Sequence, residues 1–224
     1  MPKEEQPQEE TQSRKFVYVK PYIQEKVIEE VKGKMVETTP KLDAPVFRDS
    51  YKRDEVSFEK KKLNGIVADV KFRENYNKDG FDLNVLMVTK LNYVLLQVSM
   101  QSVLGQQLAK RLQNIDLTKN VVFELWKNSS GYANFSVYQR DMSKKDDNGI
   151  HPKVFVADAF KDDENVPEVE EVVVGKQKVR DSSARVEYLK ASVEAWKETA
   201  TQLKENAALI DTGHGGDDDG NDDE

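Results

Sequence analysis

Two adjacent segments that alternate like β-strands carry aromatic residues among polar neighbours. Trp126, Tyr132 and Tyr138 fall on the face opposite the apolar set, so we expect them to point outward. A base presents a π-face whatever its identity, and stacking on an aromatic ring contributes roughly 1–3 kcal/mol per base. The three side chains therefore predict a surface for unpaired bases. The alternative for each one is packing at the rim of the core, for Trp126 beneath a C-terminal helix.

Lysine and arginine residues accompany these aromatics through the middle of the chain. Their charges neutralise phosphates and release counterions, which gives affinity without recognition of the bases. The residues predicted to bind nucleic acid are Lys62, Lys71, Arg73, Tyr76, Lys78, Lys90, Tyr93, Trp126, Lys127, Tyr132 and Tyr138.

Side chains suited to catalysis are scarce. The only histidines are His151 and His214, neither with a partner at metal-ligand or triad spacing, and there is no cysteine. No glycine-rich loop precedes a Lys-Ser or Lys-Thr pair, which excludes nucleotide hydrolysis of the P-loop type. The acidic runs 146–147 and 162–164 lie in predicted loops, where solvated carboxylates are the ordinary expectation. We therefore predict no enzyme activity, no cofactor and no metal site.

A predicted β-rich domain positions the binding residues. Strand patterns cover residues 63–72 (interrupted at Gly65), 81–89, 93–100, 120–126 and 132–139, and a helical pattern covers 101–113. The order strand, strand, strand, helix, strand, strand is that of an OB-fold, a five-stranded barrel that binds oligonucleotides. The predicted class is mainly β with α, with a different small β-barrel as the alternative.

The ends of the chain differ in composition from this domain. The predicted organisation is a disordered N-terminus (1–14), an N-terminal extension (15–59), an OB-like nucleic-acid-binding domain with extra strands (60–180), an amphipathic helix (181–210) and a disordered acidic tail (211–224). The extension contains a strand at 15–19 and a strand or helical turn at 26–31. Its role is open: it completes the barrel, covers it or forms a separate arm.

The predicted C-terminal helix has an apolar seam at alternating spacings of three and four. Its members are Val186, Leu189, Val193, Trp196, Ala200, Leu203 and Ala207. About three heptads are short for a coiled coil, so we expect the seam to pack on its own chain. A homodimer through residues 186–207 is the alternative.

Charge is distributed unevenly along the 224 residues, whose net charge is −7. Residues 60–140 hold 12 basic and 6 acidic residues, whereas residues 211–224 hold no basic and seven acidic ones. A basic segment beside acidic ends predicts nucleic-acid contact by the basic part. The polar N-terminus, the lack of a long apolar run and the lack of cysteine predict a soluble, intracellular protein, in the host cytoplasm if it is encoded by a phage.

A basic OB-like domain followed by an acidic tail resembles single-stranded DNA-binding proteins, especially phage-type ones of this size. The resemblance is architectural and covers residues 60–140 and 211–224. It implies a barrel that protects single strands in replication, recombination or repair, and a tail that recruits replication or recombination proteins. The tail residues concerned are Asp217, Asp218, Asp219, Asp222, Asp223 and Glu224. Many family tails end in an aromatic or apolar anchor, which this one lacks, so we expect an electrostatic role.

Two functions follow as expectations. The first is sequence-tolerant binding of single-stranded DNA, or of RNA, with the tail competing for the basic domain and contacting partner proteins. The second is a phage structural or assembly protein whose OB-like domain and heptad helix make protein–protein contacts. The first predicts salt-sensitive binding of oligo-dT, and the second predicts a stable oligomer without strand binding.

Overall fold

The computed structural model describes residues 14–24, 27–31, 34–38, 41–50, 59–174 and 177–211. Its strands are β1 Lys15–Gln24, β2 Val27–Val31, β3 Lys34–Thr38, β4 Lys41–Asp49, β5 Glu59–Lys60, β6 Lys62–Glu74, β7 Phe81–Val88, β8 Asn92–Ser99, β9 Val121–Lys127, β10 Ala133–Arg140, β11 Lys153–Phe155, β12 Glu170–Val174 and β13 Gln177–Asp181. Its helices are α1 Val103–Leu112, α2 Ser183–Thr199 and α3 Thr201–Asp211. The mainly β class with helices is confirmed.

A nine-stranded sheet in the order β11-β10-β9-β6-β7-β8-β1-β4-β5 dominates the fold. Alternation of buried and exposed side chains along its strands explains why these segments pair. In β8, Val94, Leu96 and Val98 face the core while the residues between them face outward. The inward set predicted for β9 and β10 is also correct, since Phe123 and Phe135 lie in the core.

The sheet curls around this core without closing into a barrel. In the sheet, β10 and β8 are the two outer strands of the group β6 to β10. A closed five-stranded barrel would place these two strands side by side. The neighbour of β8 is instead β1, which pairs with it in parallel from Lys15↔Asn92 to Val19↔Leu96. Residues 15–24 and 41–49 thus belong to the main sheet. Their strand β4 brings Phe47 to within 6.0 Å of the Phe135 ring across the core.

The long strand β6 links the two halves of the sheet. Its first residues pair with β9 and the rest pair with β7. The predicted break at Gly65 is wrong, because the strand passes straight through it. A Cβ there would lie 2.5 Å from the Val88 carbonyl oxygen, so glycine permits close approach of the two strands. A bulge follows between Val67 and Asp69.

Helix α1 fills one end of the curled sheet. Ser102 caps it by accepting a hydrogen bond from the Gly105 N–H at 3.0 Å. Leu104, Leu108 and Leu112 are buried, as the spacing predicts, but Val103 is exposed because it starts the helix on the solvent side.

The predicted C-terminal helix is two helices, α2 and α3, separated by Ala200. Val186, Leu189, Val193 and Leu203 are buried in the core of their own chain, and Trp196 and Ala200 pack against it. The expectation of intrachain packing is therefore confirmed. The apolar residues that a dimer through residues 186–207 would use are already packed in the core of their own chain.

Two hairpins form separate two-stranded sheets, β2–β3 and β12–β13. The structure makes residues 27–31 a strand rather than a helical turn. Residues 41–49 form strand β4, which pairs with β1.

Candidate nucleic-acid interface

A groove of about 380 Å³ lies on the outer face of β1, β6, β7 and β8. It combines aromatic, aliphatic, basic and amide side chains. Its lining is Phe16, Tyr18, Asp69, Lys71, Phe72, Arg73, Asn84, Leu86 and Leu95. A groove with an apolar floor and a few polar groups is the ordinary form of a ligand site.

Strand register brings these side chains together. Leu86 pairs with Leu95, which in turn pairs with Tyr18, so the three form a row across β7, β8 and β1. The neighbouring row holds Lys71 and Asn84, which pair between β6 and β7. Each row contributes from neighbouring strands to one face, which is why the groove runs across the sheet.

The bulge in β6 decides which of its residues reach the groove. Val67 before the bulge and Val70 after it both point into the core, so the inward set changes from odd to even numbers. Lys71 and Arg73 consequently face outward. Without the extra residue at the bulge, both cations would point into the core.

An ion network that includes the groove residues Asp69 and Lys71 joins β6 to α2. Asp69 pairs with Lys197 at 2.7 Å and with Lys71 at 2.8 Å, and Lys197 also donates to the Val70 carbonyl at 2.6 Å. Burial acts to raise the pKa of Asp69, but the hydrogen bonds from Lys197 and Lys71 hold its pKa below the ordinary value. Because two ammonium groups share one carboxylate, the network keeps a net positive charge.

Aromatic side chains form one end of the groove. Phe16 and Tyr18 are each 39% exposed. Tyr93 lies beside Phe16, its partner on β8: the two ring centres are 5.0 Å apart, and the Arg14 guanidinium lies 5.8 Å from the centre of the Tyr93 ring. Tyr93 is therefore buried, and the prediction that it contacts nucleic acid is wrong in placing it at the surface. It supports Phe16, which is at the surface.

Two predicted loops lie at opposite ends of β6. The turn 75–80 follows β6 and exposes Tyr76 fully, with Lys78 beside it in a left-handed conformation at φ 58°. The turn 128–131 follows β9, which runs antiparallel to the first residues of β6 and therefore ends near its start. β6 is about 40 Å long at roughly 3.3 Å per residue, so the two loops flank the outer face at a distance.

Of the three aromatic residues predicted to point outward from β9 and β10, two are exposed and one is buried. Trp126 is 44% exposed and donates its indole N–H to the Ser136 hydroxyl at 2.7 Å, and Tyr132 is exposed. Tyr138 is only 1% exposed, so its predicted outward position is wrong. Strand β11 covers it: Phe155 packs edge-on at 5.7 Å and the Lys153 ammonium lies 4.5 Å from the ring centre.

The remaining predicted lysines lie near the start of β6. Lys62 and Lys90 line a smaller cavity of about 170 Å³ together with Lys60. Lys62 is paired with Glu124 at 2.9 Å, and this hydrogen bond raises the pKa of Lys62. Lys127 is half-buried at the end of β9. Lys62 is thus paired with a carboxylate, as Lys71 is, but it lines the smaller cavity rather than the groove.

Phe16 and Tyr18 are the aromatic groove residues of β1 that the sequence prediction missed, together with Asp69, Phe72, Asn84, Leu86 and Leu95. A signal was present, since Phe16 and Tyr18 alternate with Val17 and Val19 in the predicted strand 15–19. The sequence pattern did not indicate which strand would pair with this one. The parallel pairing of β1 with β8 puts both aromatics on the same face as Lys71 and Arg73.

Comparison with known proteins gives no family assignment: no family model, curated protein or solved structure matches the chain. Within the described ranges, no three His, Cys, Asp or Glu side chains come together as a metal site would require. None of the helices seen in those ranges is long and apolar enough to cross a membrane. The acidic residues 217–219 and 222–224 lie outside the described residues.

Proposed function

We propose that this chain binds single-stranded nucleic acid with little sequence selection, through the outer face of β1, β6, β7 and β8. The observation that carries the proposal is the groove in which Phe16 and Tyr18 lie on the same face as Lys71 and Arg73. Aromatic rings take bases by stacking and cations take phosphates, which together give affinity for a flexible single strand whatever its sequence.

The arrangement of strands supports an OB-like mode of binding. OB-folds bind oligonucleotides on the face of their second and third strands, between the loops that follow the first and fourth. In the order of this chain those strands correspond to β7 and β8, and the loops to turns 75–80 and 128–131. The groove lies on that face. Turn 75–80, with Tyr76 and Lys78, follows the end of β6 beyond Arg73, and turn 128–131, flanked by Trp126, Lys127 and Tyr132, lies near the start of β6.

The departure from the five-stranded barrel is consistent with this mode. The place that would close the barrel beside β8 is occupied by β1. β1 brings two of the aromatic side chains in the groove, so the extra strand enlarges the proposed binding face.

The acidic tail regulates access in this proposal. Ile210, near the end of α3, packs on the cluster of Ala68, Val88 and Tyr93, and Leu86 of the groove packs on the same cluster. Helix α3 therefore ends beside the aromatic end of the groove. The 13 residues after Asp211 can span up to about 45 Å, which is enough to reach Lys71 and Arg73. The same tail is proposed to contact replication or recombination proteins when a strand displaces it.

Titration of a fluorescent dT oligonucleotide tests the proposal. We expect binding that weakens steeply with salt, with a log–log slope of about −0.7 per neutralised phosphate, and weaker binding of a duplex of equal length. A Trp196→Phe variant leaves Trp126 as the sole tryptophan, whose fluorescence should be quenched as a strand binds. No binding at low salt to DNA or to RNA would overturn the proposal.

A second candidate is protein–protein contact in an assembly. The observation that favours it is the exposed edge strand β11, where Val154 and Phe155 are exposed beside an open sheet edge. A stable oligomer that forms without nucleic acid and is disrupted by Val154→Lys would support this candidate. A monomer in sedimentation velocity would count against it.

A further inference from the structure

The groove contains one amide whose position the binding of phosphates does not explain. Asn84 lies in the middle of β7, is only 9% exposed and lines the groove beside Leu86 and Leu95. Burying an amide without a hydrogen bond costs free energy compared with leaving it in water, so nearly all buried amides have partners.

The neighbours of Asn84 do not supply that partner. Lys71, across the strand pair on β6, is turned to Asp69 at 2.8 Å, and Gln97, across the pair on β8, donates to Asp82 at 2.6 Å. No hydrogen bond joins the Asn84 side chain to another described residue, and its amide opens into the groove rather than being sealed in the core, where Gln113 Nε2 is the one polar side-chain atom of the described residues without a partner. The Asn84 amide, which lies between the Lys71–Asp69 ion pair and the aliphatic Leu86 and Leu95, therefore remains available to a ligand.

The chemistry of an amide narrows the class of that ligand. The side chain offers a donor NH₂ and an acceptor oxygen next to each other in one plane. The edge of an unstacked base offers a complementary donor and acceptor, also adjacent and coplanar, and the rings of Phe16 and Tyr18 flank the same groove. A phosphate offers only acceptors and would satisfy half of the amide.

We propose that the groove holds one unstacked base, with Asn84 hydrogen-bonded to its edge. The inference rests on the proposed function and deepens it, since it assigns one side chain to base contact rather than to phosphate contact. Because either end of the amide can face either group of the base edge, the contact favours a nucleobase over an apolar ring without strongly selecting one base.

A paired substitution in protein and ligand tests this contact. Two oligonucleotides of equal length are compared, oligo-dT and one in which difluorotoluene replaces every thymine, keeping the ring shape but removing the hydrogen-bonding edge. We expect the natural protein to prefer the thymine form by about two- to tenfold, the range of a single hydrogen bond. Asn84→Leu should abolish the preference by weakening binding of the thymine form only.

Gln97→Leu is the matched control, because it removes a second amide on the same face that is already bonded to Asp82. It should leave the preference unchanged. If Asn84→Leu does not fold by circular dichroism, Asn84→Ser serves in its place and should lose most of the preference. A preference that survives in the Asn84 variants, or is absent from the natural protein while both oligonucleotides bind, would overturn the inference alone. Absence of binding to either would overturn the proposed function and this inference with it.

Discussion

At the scale of single residues, exposed aromatic side chains are common, and position rather than exposure distinguishes those of the groove. Phe155 is more exposed than Phe16 or Tyr18, yet it lies on the edge strand β11. Tyr138 is buried beside Phe155 of β11, and Tyr93 is buried beside Phe16 of β1 in a cluster that Ile210 of α3 covers. Alternation correctly gave the face of each side chain, but which faces remain open depends on pairing between distant segments.

The aromatic pair provides the most direct residue-level prediction. Phe16→Ala and Tyr18→Ala should each weaken oligo-dT binding by roughly 1–3 kcal/mol, the value of one stacked base. Fluorescence anisotropy measures the change, and thermal unfolding separates it from any loss of packing between Phe16 and Tyr93. Phe155→Ala is the matched control and should bind as the natural protein does. Equal losses in all three variants would contradict a localised aromatic site.

Arg73 is expected to act through charge alone. Arg73→Ala should weaken binding about equally for all base compositions and reduce the log–log salt slope by about 0.7, the value for one phosphate contact on a single strand. Lys161, exposed in a loop away from the groove, gives the control Lys161→Ala. The measurement is affinity at four or more salt concentrations. An unchanged salt slope in Arg73→Ala would show that Arg73 does not contact a phosphate.

Asp69 makes stability depend on acid. Its pKa in the folded chain lies below the ordinary value of 3.8. The carboxylate therefore stabilises the fold above that pH, and its contribution is lost as pH falls from 3.8 through the lower folded value. Asp69→Asn should be less stable than the natural protein at neutral pH, with the difference narrowing on acidification. Urea unfolding between pH 7 and pH 3 measures this, with the exposed Glu164→Gln as control. A difference that stays constant with pH would contradict the role of the carboxylate.

At the scale of elements, local patterns predicted more than long-range pairing. The five strands and helix between residues 62 and 140 match the predicted order, since strand alternation and the helical spacing of apolar residues are both local signals. Insertion of β1 beside β8 joins residues about 75 positions apart, and nothing in a single strand specifies its partner. This pairing both leaves the barrel open and supplies two groove aromatics.

Helix α3 is held on β6 by one buried amide. Asn206 donates to the Val67 carbonyl at 2.8 Å and to the Leu117 carbonyl at 2.9 Å. Asn206→Ala leaves both carbonyls without this donor, at about 1–3 kcal/mol for each, so the free energy of unfolding should fall by more than that of Glu205→Ala, an exposed change on the same helix. Equilibrium urea unfolding gives both values. Equal free energies of unfolding for Asn206→Ala and Glu205→Ala would mean that water donates to the two carbonyls in place of the Asn206 amide.

At the scale of the whole molecule, charge separates into a basic middle and an acidic end, and α3 fixes where the two meet. Because Ile210 packs beside Tyr93, the tail begins next to the groove rather than at a random point on the surface. Attachment at this point gives the tail a high effective concentration at the groove, which a free acidic peptide would lack. In the proposed function, competition by the tail is therefore intramolecular, and we expect its strength to depend on charge and salt.

Removal of residues 212–224 should tighten oligo-dT binding at low salt. The gain in affinity should vanish at about 1 M salt, where the Debye length is only about 3 Å. A tail of equal length, with its six acidic residues from Asp217 to Glu224 changed to Asn or Gln, separates charge from bulk and should behave like the deletion. Anisotropy titrations of the three proteins at four salt concentrations measure the effect. If the neutral tail still weakens binding as the natural one does, the tail acts by obstruction. If the deletion changes nothing at low salt, the tail does not occupy the groove, and its acidic residues remain available to partner proteins in both the free and the bound states.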